Sequence, residues 1–504
     1  MRIRFHGADR TVTGSCHLIE AAGLRVLLDF GLYQGPRDES SRINSLLPPD
    51  LKHVDAVILS HGHLDHCGRL PLLYRSGYRG PIYCTAATAD VARVVLTDAA
   101  EIQQEDADYL NRRSTETRGS PITPLFTTAD VQSVCRFFKP VPYDKTIDLS
   151  RKVRFTLHDA GHILGSAYVI LEVDESQGTK KLLFTADVGR FNTPIIRDPV
   201  LPTVKVDAVI TESTYGTVTH APMDAVAPQL LTILQDAVKK KGRVILPSFA
   251  VGRTQTMLWY VQRFIQNKQL PELPIFVDSP MGTEISQITA KHAELFDDET
   301  RKAVCKTDDP ATCDLFGLSR VTFAVTSEES RRINNVQGAC VIIASSPTCE
   351  FGRVLHHLKH SIENPNDTVV FVGWTPPGTL GRKLQNLSPP SLSSNQQLTT
   401  SNSPPLRILD RLYTPRCRIQ TLHGLSAHAD GNELLRFLTP ALSPQTTAFI
   451  VHGEEDRCDG FAARLTAQGI QTALAPAMFS AAVVGDAETG TDQTPTAPPI
   501  ATDE

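Results

Sequence analysis

His61-Gly62-His63-Leu64-Asp65-His66 sets three imidazoles and one carboxylate within six residues. The segment follows Val54-Asp55-Ala56-Val57-Ile58-Leu59-Ser60, an apolar, β-branched run that reads as a buried strand opening into a loop. Alternate side chains of an extended segment share a side, so His61 and His63 can grip one ion while Asp65 and His66 face a second. Neutral imidazole suits zinc, iron or manganese. A carboxylate among the ligands leaves room for bound water, which separates catalytic sites from closed structural ones. The plain alternative is a set of surface histidines clustered by accident, and it weakens with every further ligand candidate downstream.

Three such candidates each follow an apolar strand. His162 lies in Asp159-Ala160-Gly161-His162 after Val153-Arg154-Phe155-Thr156-Leu157, Asp187 ends Leu182-Leu183-Phe184-Thr185-Ala186, and His452 ends Thr447-Ala448-Phe449-Ile450-Val451. Singly, each reads equally well as a hydrogen-bonded loop histidine or a turn aspartate. At three strand ends together they read as one ligand set.

These segments, with Leu28-Asp29-Phe30-Gly31, Asp187-Val188-Gly189-Arg190, Thr211-Glu212-Ser213-Thr214-Tyr215-Gly216, Ser426-Ala427-His428-Ala429-Asp430 and Val451-His452-Gly453-Glu454, resemble the metallo-β-lactamase fold hydrolases. Within them the chain resembles the β-CASP nucleases, over about residues 1 to 476. The motifs at Glu212, His428 and His452 are similar to that subgroup's own and narrow the substrate to nucleic acid. The resemblance implies an α/β fold: a metallo-β-lactamase αββα sandwich with an inserted parallel α/β β-CASP domain. It implies two zinc ions per chain, one on His61, His63 and His162, the other on Asp65, His66 and His452, with Asp187 between them. Such an ion pair activates water and stabilises the attacking and leaving oxygens of a phosphodiester.

The same resemblance makes Asp29 the aspartate that orients metal-bound histidines; a turn aspartate before Phe30-Gly31 is its plainer reading. It pairs His428, as the acid protonating the leaving ribose oxygen, with Glu212, which holds the ring. A turn-capping carboxylate and a satisfied loop histidine are the bland readings of those two. Histidine at the position of His452 marks RNA-directed members, so the implied activity is a metal-dependent endonuclease or 5′-to-3′ exonuclease on single-stranded RNA. A small-molecule (thio)ester hydrolase of the same fold is disfavoured by Glu212, His428 and the insert. A catalytically silent RNA-processing scaffold is disfavoured by the complete ligand set. Members often form homodimers, though no residue here marks such an interface.

Two further segments suggest substrate contacts. Ser248-Phe249-Ala250-Val251-Gly252-Arg253 opens a helix after a strand, where backbone N–H groups and Arg253 can meet a phosphate; helix packing is the alternative. Ser345-Ser346-Pro347-Thr348-Cys349-Glu350-Phe351-Gly352-Arg353 resembles a family segment, with Ser345, Ser346 and Arg353 as candidates. Pro347, Thr348 and Phe351 stand where the family has Gly, Met and Gly, which removes a backbone donor and restricts close approach. His356, His357, Lys359 and His360 read as a solvated basic face of a helix.

The 504 residues, 41% hydrophobic and 21% charged, can bury more than one core. No stretch approaches a membrane span, and Met1 leads into Ile3-Arg4-Phe5 without the charged and apolar regions of a signal peptide. Ten cysteines without a CxxC pair predict reduced thiols and a cytoplasmic protein, with Cys67 packed behind the ligand cluster. The net charge of −5 excludes a general basic coat, so nucleic acid must be bound locally, where dications reverse the sign.

Alternating strands and turns predict one half-domain over residues 1–202, with helices near 86–110 and 128–138. From Val206-Asp207-Ala208-Val209-Ile210 the pattern becomes strand, glycine loop and helix, predicting an inserted parallel domain over 203–384. The chain then returns to the first domain over 385–479, since His428 and His452 belong with the early ligands. Residues 384–406 carry no charge and are dense in Ser, Pro, Asn and Gln, which predicts a flexible loop. Residues 480–504, without Lys or Arg, read as a disordered tail.

Overall fold

The alternation that predicts strands also decides which side chains face inward. Along Val153–Asp159 every second residue is buried, Val153, Phe155 and Leu157 pointing one way and Arg154, Thr156 and His158 the other. The computed structural model describes residues 1–113, 121–307, 313–317, 320–373, 375–387 and 404–484. The chain divides into two compact units. One comprises Met1–Phe191, Asp198–Thr219 and His428–Glu504, the other Asn192–Arg197 and His220–Ala427.

The first unit contains two seven-stranded sheets. One runs, in spatial order, Ala481–Val483, Arg2–Gly7, Cys16–Ala21, Leu24–Leu28, Ala56–Ile58, Ile82–Cys84 and Phe138–Pro140. The other runs Thr472–Leu474, Thr447–Ile450, Ala208–Thr211, Gly178–Phe184, Ala167–Glu175, Val153–Asp159 and Thr146–Asp148. Their inner faces share one core, in which Ile3, Phe5, Ile19, Leu28 and Ile58 meet Phe155, Val169, Leu182, Phe184 and Ile210. Each large apolar side chain fully buried there contributes about 1.5–3 kcal/mol. Helices Gly431–Leu438 and Glu455–Ala467 cover the outer face of the second sheet through Leu434, Phe437, Phe461 and Leu465. Helices Ala86–Arg113 and Thr128–Val134 fall where the sequence places them.

Parallel pairing in both sheets brings strand ends together. Leu28 lies opposite Ile58, Phe184 opposite Ile210, and Thr211 opposite Ile450. The residues immediately after these positions include Asp29, His61, Asp187, Glu212 and His452. Parallel order therefore gathers at one end side chains that are far apart in sequence.

The second unit is built on a six-stranded parallel sheet in the order Val321–Phe323, Ile275–Asp278, Cys340–Ala344, Arg243–Pro247, Thr368–Phe371 and Arg418–Thr421. Its strands are apolar on both faces because each face is covered: Leu230, Met257, Phe264 and Phe316 lie on one side and Val354, Leu358, Leu380 and Leu384 on the other.

Several expectations change. The strand Ala208–Thr211, read as the start of the insert, lies inside the first unit, paired on both sides. The return comes at His428 rather than 385, because Arg418–Thr421 is the edge strand of the inserted sheet. Of the expected loop, Leu384 and Gln385 end helix Leu380–Gln385 and Leu406 begins strand Leu406–Ile408, while 388–403 lie outside the described residues. Of the expected tail, Ala481–Val483 is a strand paired with Arg2–Arg4, and 485–504 lie outside the described residues. Cys305 and Cys313, facing each other across an isolated antiparallel bridge, form a disulfide; the remaining eight cysteines are thiols. No described helix is long and apolar enough to cross a membrane.

Candidate metal centre

Six of the seven expected ligands leave strand ends or the short helix Leu64–Cys67, and the seventh, His162, leaves the turn between Val153–Asp159 and Ala167–Glu175. Asp187 is at their centre. Its Oδ2 lies 3.5 Å from His61 Nε2 and 3.4 Å from His162 Nε2. Its Oδ1 lies 3.4 Å from His66 Nε2 and 3.5 Å from His452 Nδ1. His63 Nδ1 stands 3.1 Å from His61 Nε2 and 3.2 Å from His162 Nε2, while His66 Nε2 is 3.2 Å from His452 Nε2, itself 3.4 Å from Asp65 Oδ2.

These spacings fit metal ions. Four ligands about 2.0 Å from a tetrahedral zinc ion stand roughly 3.3 Å from one another. His63 Nδ1, with at most one proton, cannot donate fully to two imidazoles, so lone pairs converge on shared points. Asp187 Oδ1 is buried without a hydrogen bond, a condition that buried carboxylates rarely tolerate without a cation. His61, His63, His162 and Asp187 form one group able to hold an ion, and Asp65, His66 and His452 another. Burial and then the neighbouring His66 hold the His61 imidazole well below its ordinary range. Burial takes His63 down to about 4, against the pull of Asp65 and Asp187. Burial raises Asp65, but its hydrogen bond with His452 and the charge of His66 outweigh that and bring it to about 2. Neutral imidazoles and ionised carboxylates are the forms a divalent metal requires.

A second layer fixes these ligands. Asp29 Oδ2 is 2.7 Å from His66 Nδ1, while its Oδ1 accepts from the Ser60 N–H at 2.8 Å. The Ser60 hydroxyl meets Asp29 at 2.9 Å and His61 Nδ1 at 3.0 Å, leaving His61 Nε2 for the ligand set. Thr214 Oγ1 lies 3.1 Å from His452 Nδ1. Sequence reasoning assigned Ser60 and Thr214 no role, although each stands within two residues of a chosen residue. Gly31 passes so close to Asp65 that an added Cβ would sit 1.5 Å from its carbonyl oxygen, so only glycine allows the two loops to meet. Asp29, Ala186 and His452 all adopt left-handed backbone, with φ of 58°, 47° and 49°, a local cost at each of these positions.

His428 stands beside the ligands. Its ring centroid is 4.5 Å from that of His162, and its Nδ1 is 3.1 Å from Glu212 Oε2. Glu212 Oε1 accepts from the Val188 N–H at 2.6 Å, which aims the carboxylate at the ring. Burial works against the imidazolium, but Glu212 and then Asp187 outweigh it and push His428 up to about 9. The side chain keeps 20% of its surface exposed, enough to reach a substrate.

Three sequence families match the chain: a metallo-beta-lactamase superfamily domain over residues 18–190, a Beta-Casp domain over 254–384, and a Zn-dependent metallo-hydrolase RNA specificity domain over 414–476. The Ribonuclease TTHA0252 of Thermus thermophilus is 33% identical over 475 residues, covering 94% of this chain and 98% of that protein. The chain belongs to the β-CASP family of the metallo-β-lactamase superfamily. This β-CASP protein is accordingly a metal-dependent hydrolase, and its His/Asp cluster is able to hold a metal ion. It is also 29% identical over 473 residues to the Transcription termination factor FttA of Methanocaldococcus jannaschii, covering 92% of this chain and 68% of that one. A solved structure of a protein of unknown function from Enterococcus faecalis shares the fold at a TM-score of 0.50 and 12% identity, over 90% of this chain and 94% of that one.

The remaining candidates of the β-CASP protein lie at strand ends of the inserted sheet. Ser248 is fully buried, and its hydroxyl has no hydrogen bond. Arg253 begins helix Arg253–Gln266. Ser345 donates to Ser279 Oγ at 3.0 Å, and the Ser346 hydroxyl is 2.7 Å from Thr348 Oγ1. Arg353 turns inward, donating to Asp278 Oδ1 at 2.7 Å, to the Ala324 carbonyl at 2.8 Å, and to the Val325 carbonyl. His357, expected on a solvated face, is buried with its Nε2 2.6 Å from Asp278 Oδ2. An acid 79 positions away draws it inward, a pairing that local sequence does not reveal.

Proposed function

We propose that this β-CASP hydrolase cleaves phosphodiester bonds of single-stranded RNA in the cytoplasm, using two zinc ions. The observation that carries this reading is the division of ligands about Asp187, His61 and His162 facing one carboxylate oxygen and His66 and His452 the other, with the His428–Glu212 pair beside them. The ribonuclease relative and the RNA specificity domain support RNA as substrate.

His61, His63 and His162 would hold one ion and Asp65, His66 and His452 the other, with Asp187 touching both. When bound, the ions supply water activated near neutral pH and charge to stabilise the phosphoryl oxygens. Asp29 and Ser60 keep His66 and His61 in the tautomers that present Nε2. Glu212 holds the His428 Nδ1–H, leaving Nε2–H directed away from the carboxylate. That proton passes to the departing ribose oxygen as the P–O bond breaks, so the leaving group departs neutral.

The test is incubation of the purified protein with 5′-labelled RNA and matched single-stranded DNA, with and without chelator, beside metal analysis. Chelator-sensitive RNA cleavage with near two zinc ions per chain is expected. Equal cleavage of DNA would overturn the substrate assignment, and thioester hydrolysis with intact RNA would replace it. Circular RNA separates endonucleolytic from 5′-to-3′ action.

A further inference from the structure

The polar groups of the loop Ser345–Arg353 find their partners within the inserted unit. Ser345, Ser346 and Arg353 are bound to Ser279, Thr348 and Asp278, and Glu350 accepts from the Leu380 N–H. Gly352, at φ 84°, rests on the Ser345 carbonyl and turns the chain outward. What the loop shows to solvent is a ring: Phe351 is 61% exposed. On the adjacent parallel strand, Phe249 is 58% exposed, although Val244–Ser248 before it and Ala250 after it are buried. Its backbone is held by Thr254, whose N–H and hydroxyl both donate to the Phe249 carbonyl, at 3.1 and 2.8 Å.

No core requires either ring. Val325, on the loop that Arg353 ties down, is also 52% exposed, so three strands of one parallel sheet end in exposed apolar side chains. The same edge carries the N-termini of helices Arg253–Gln266 and Pro280–Lys291 and the buried, unbonded hydroxyl of Ser248. The first N–H groups of these helices are already taken, Arg253 by the Val251 carbonyl, Thr254 by Phe249, Gly282 by Ser279 Oγ and Thr283 by the Ser279 carbonyl, Ser248 is buried, and the Glu350 carboxylate repels phosphate beside Phe351. The neutral face of a base fits there.

We propose that the carboxyl edge of the inserted sheet binds single-stranded RNA by stacking unpaired bases on Phe351 and Phe249. Arg353 is then a positioning residue, clamping three loops through Asp278, Ala324 and Val325 so that the Phe351 backbone is rigid before RNA arrives. The inference rests on the reading of the chain as an RNA hydrolase.

The test uses the full-length, metal-loaded protein and a short single-stranded RNA carrying 2-aminopurine at successive positions, read by stopped-flow fluorescence before cleavage proceeds. Quenching at one or two positions is expected with wild type, and none at any position overturns the proposal. Phe351→Ala should weaken binding about tenfold, the usual worth of one stacked base. Phe351→Trp should retain affinity, and the salt dependence should stay unchanged because no phosphate contact is lost. An Ala variant as tight as wild type, a Trp variant as weak as Ala, or an abasic strand bound as tightly as RNA each overturns it. Loss of a dimer in Phe351→Ala would do so too, by showing that a second copy covers the ring. Wild type that cleaves RNA while Phe351→Ala binds normally defeats the stacking platform alone; wild type that neither binds nor cleaves RNA defeats the hydrolase reading beneath it.

Discussion

The loop after Ala56–Ile58 and the loop after Cys340–Ala344 both leave a buried parallel strand at its carboxyl end, yet they finish their chemistry in opposite ways. In the first, imidazole nitrogens stand 3.1–3.2 Å apart and an oxygen of Asp187 lacks a hydrogen bond. In the second, hydroxyls and a guanidinium are matched to partners within the unit. The first arrangement is incomplete without a cation, while the second is complete as folded and presents an apolar ring. A parallel sheet thus supplies only the place; whether the loop becomes a reactive centre or a surface depends on whether its polar groups satisfy one another.

The comparison breaks most readily at Asp187. Asp187→Asn should abolish RNA cleavage, by on the order of 10⁴-fold or more, because water is no longer activated, and elemental analysis should show metal lost with it. Full activity in that variant, or in metal-free protein, would mean the converging ligands do not hold the reactive ions.

His428→Ala should slow cleavage about 10²- to 10⁴-fold while metal content and RNA binding stay unchanged, with Glu212→Gln less affected. A substrate whose leaving group needs no proton should recover much of the loss. Unchanged cleavage would remove the acid's role from His428 and leave the metal ligands alone with the chemistry.

Arg353→Ala sharpens the other side. It leaves the buried Asp278 short of one partner and should destabilise the chain by about 2–3 kcal/mol, below the ~3–5 kcal/mol of a fully buried pair because the arginine is partly exposed. Calorimetry should show lower stability with metal content intact. Burial raises the Asp278 carboxyl, but bonds from His357, Ser330 and Arg353 outweigh this and hold it below its ordinary value. Its contribution is therefore full above about pH 4 and lost as the pH falls further. Asp278→Asn should flatten that acid limb.

The smallest effects concern the chain's margins. Truncation after Met478 removes the strand paired with Arg2–Arg4 and should lower stability by about 1–2 kcal/mol, whereas truncation after Val484 should be silent. Deleting 388–403, which carries neither a ligand nor a charge, should leave cleavage and melting essentially unchanged. A large drop in either silent case would reveal a structural role that composition hides.

The gathering of the ligand candidates was legible because most of them follow a short apolar run, so strand and chemistry are written side by side. Asp29 was singled out by resemblance alone, since an aspartate before Phe30-Gly31 reads equally as a turn residue. What escaped depends on pairing at a distance. Val206–Ile210 reads as a strand like those of the insert, and only its partners Leu182–Phe184 and Thr447–Ile450 assign it to the first unit. Ala481–Val483 sits in an alanine-rich stretch whose strand character comes from Arg2–Arg4. Arg353 and His357 looked outward in sequence because Asp278, some 75 residues earlier, gives no local sign that it will draw them in.

The order of ligands along the chain also bears on synthesis. Asp29 and His61 leave the ribosome long before Thr447–Ile450 and His452, and the group Asp65, His66 and His452 cannot close without the last of these. At roughly 5–20 residues per second, the first histidines wait on the order of 20–80 s for the last. During that interval the nascent chain cannot yet bring His452 to Asp65 and His66. The metal centre is thereby timed by its own topology, since it closes only after the strand Thr447–Ile450 and His452 have emerged.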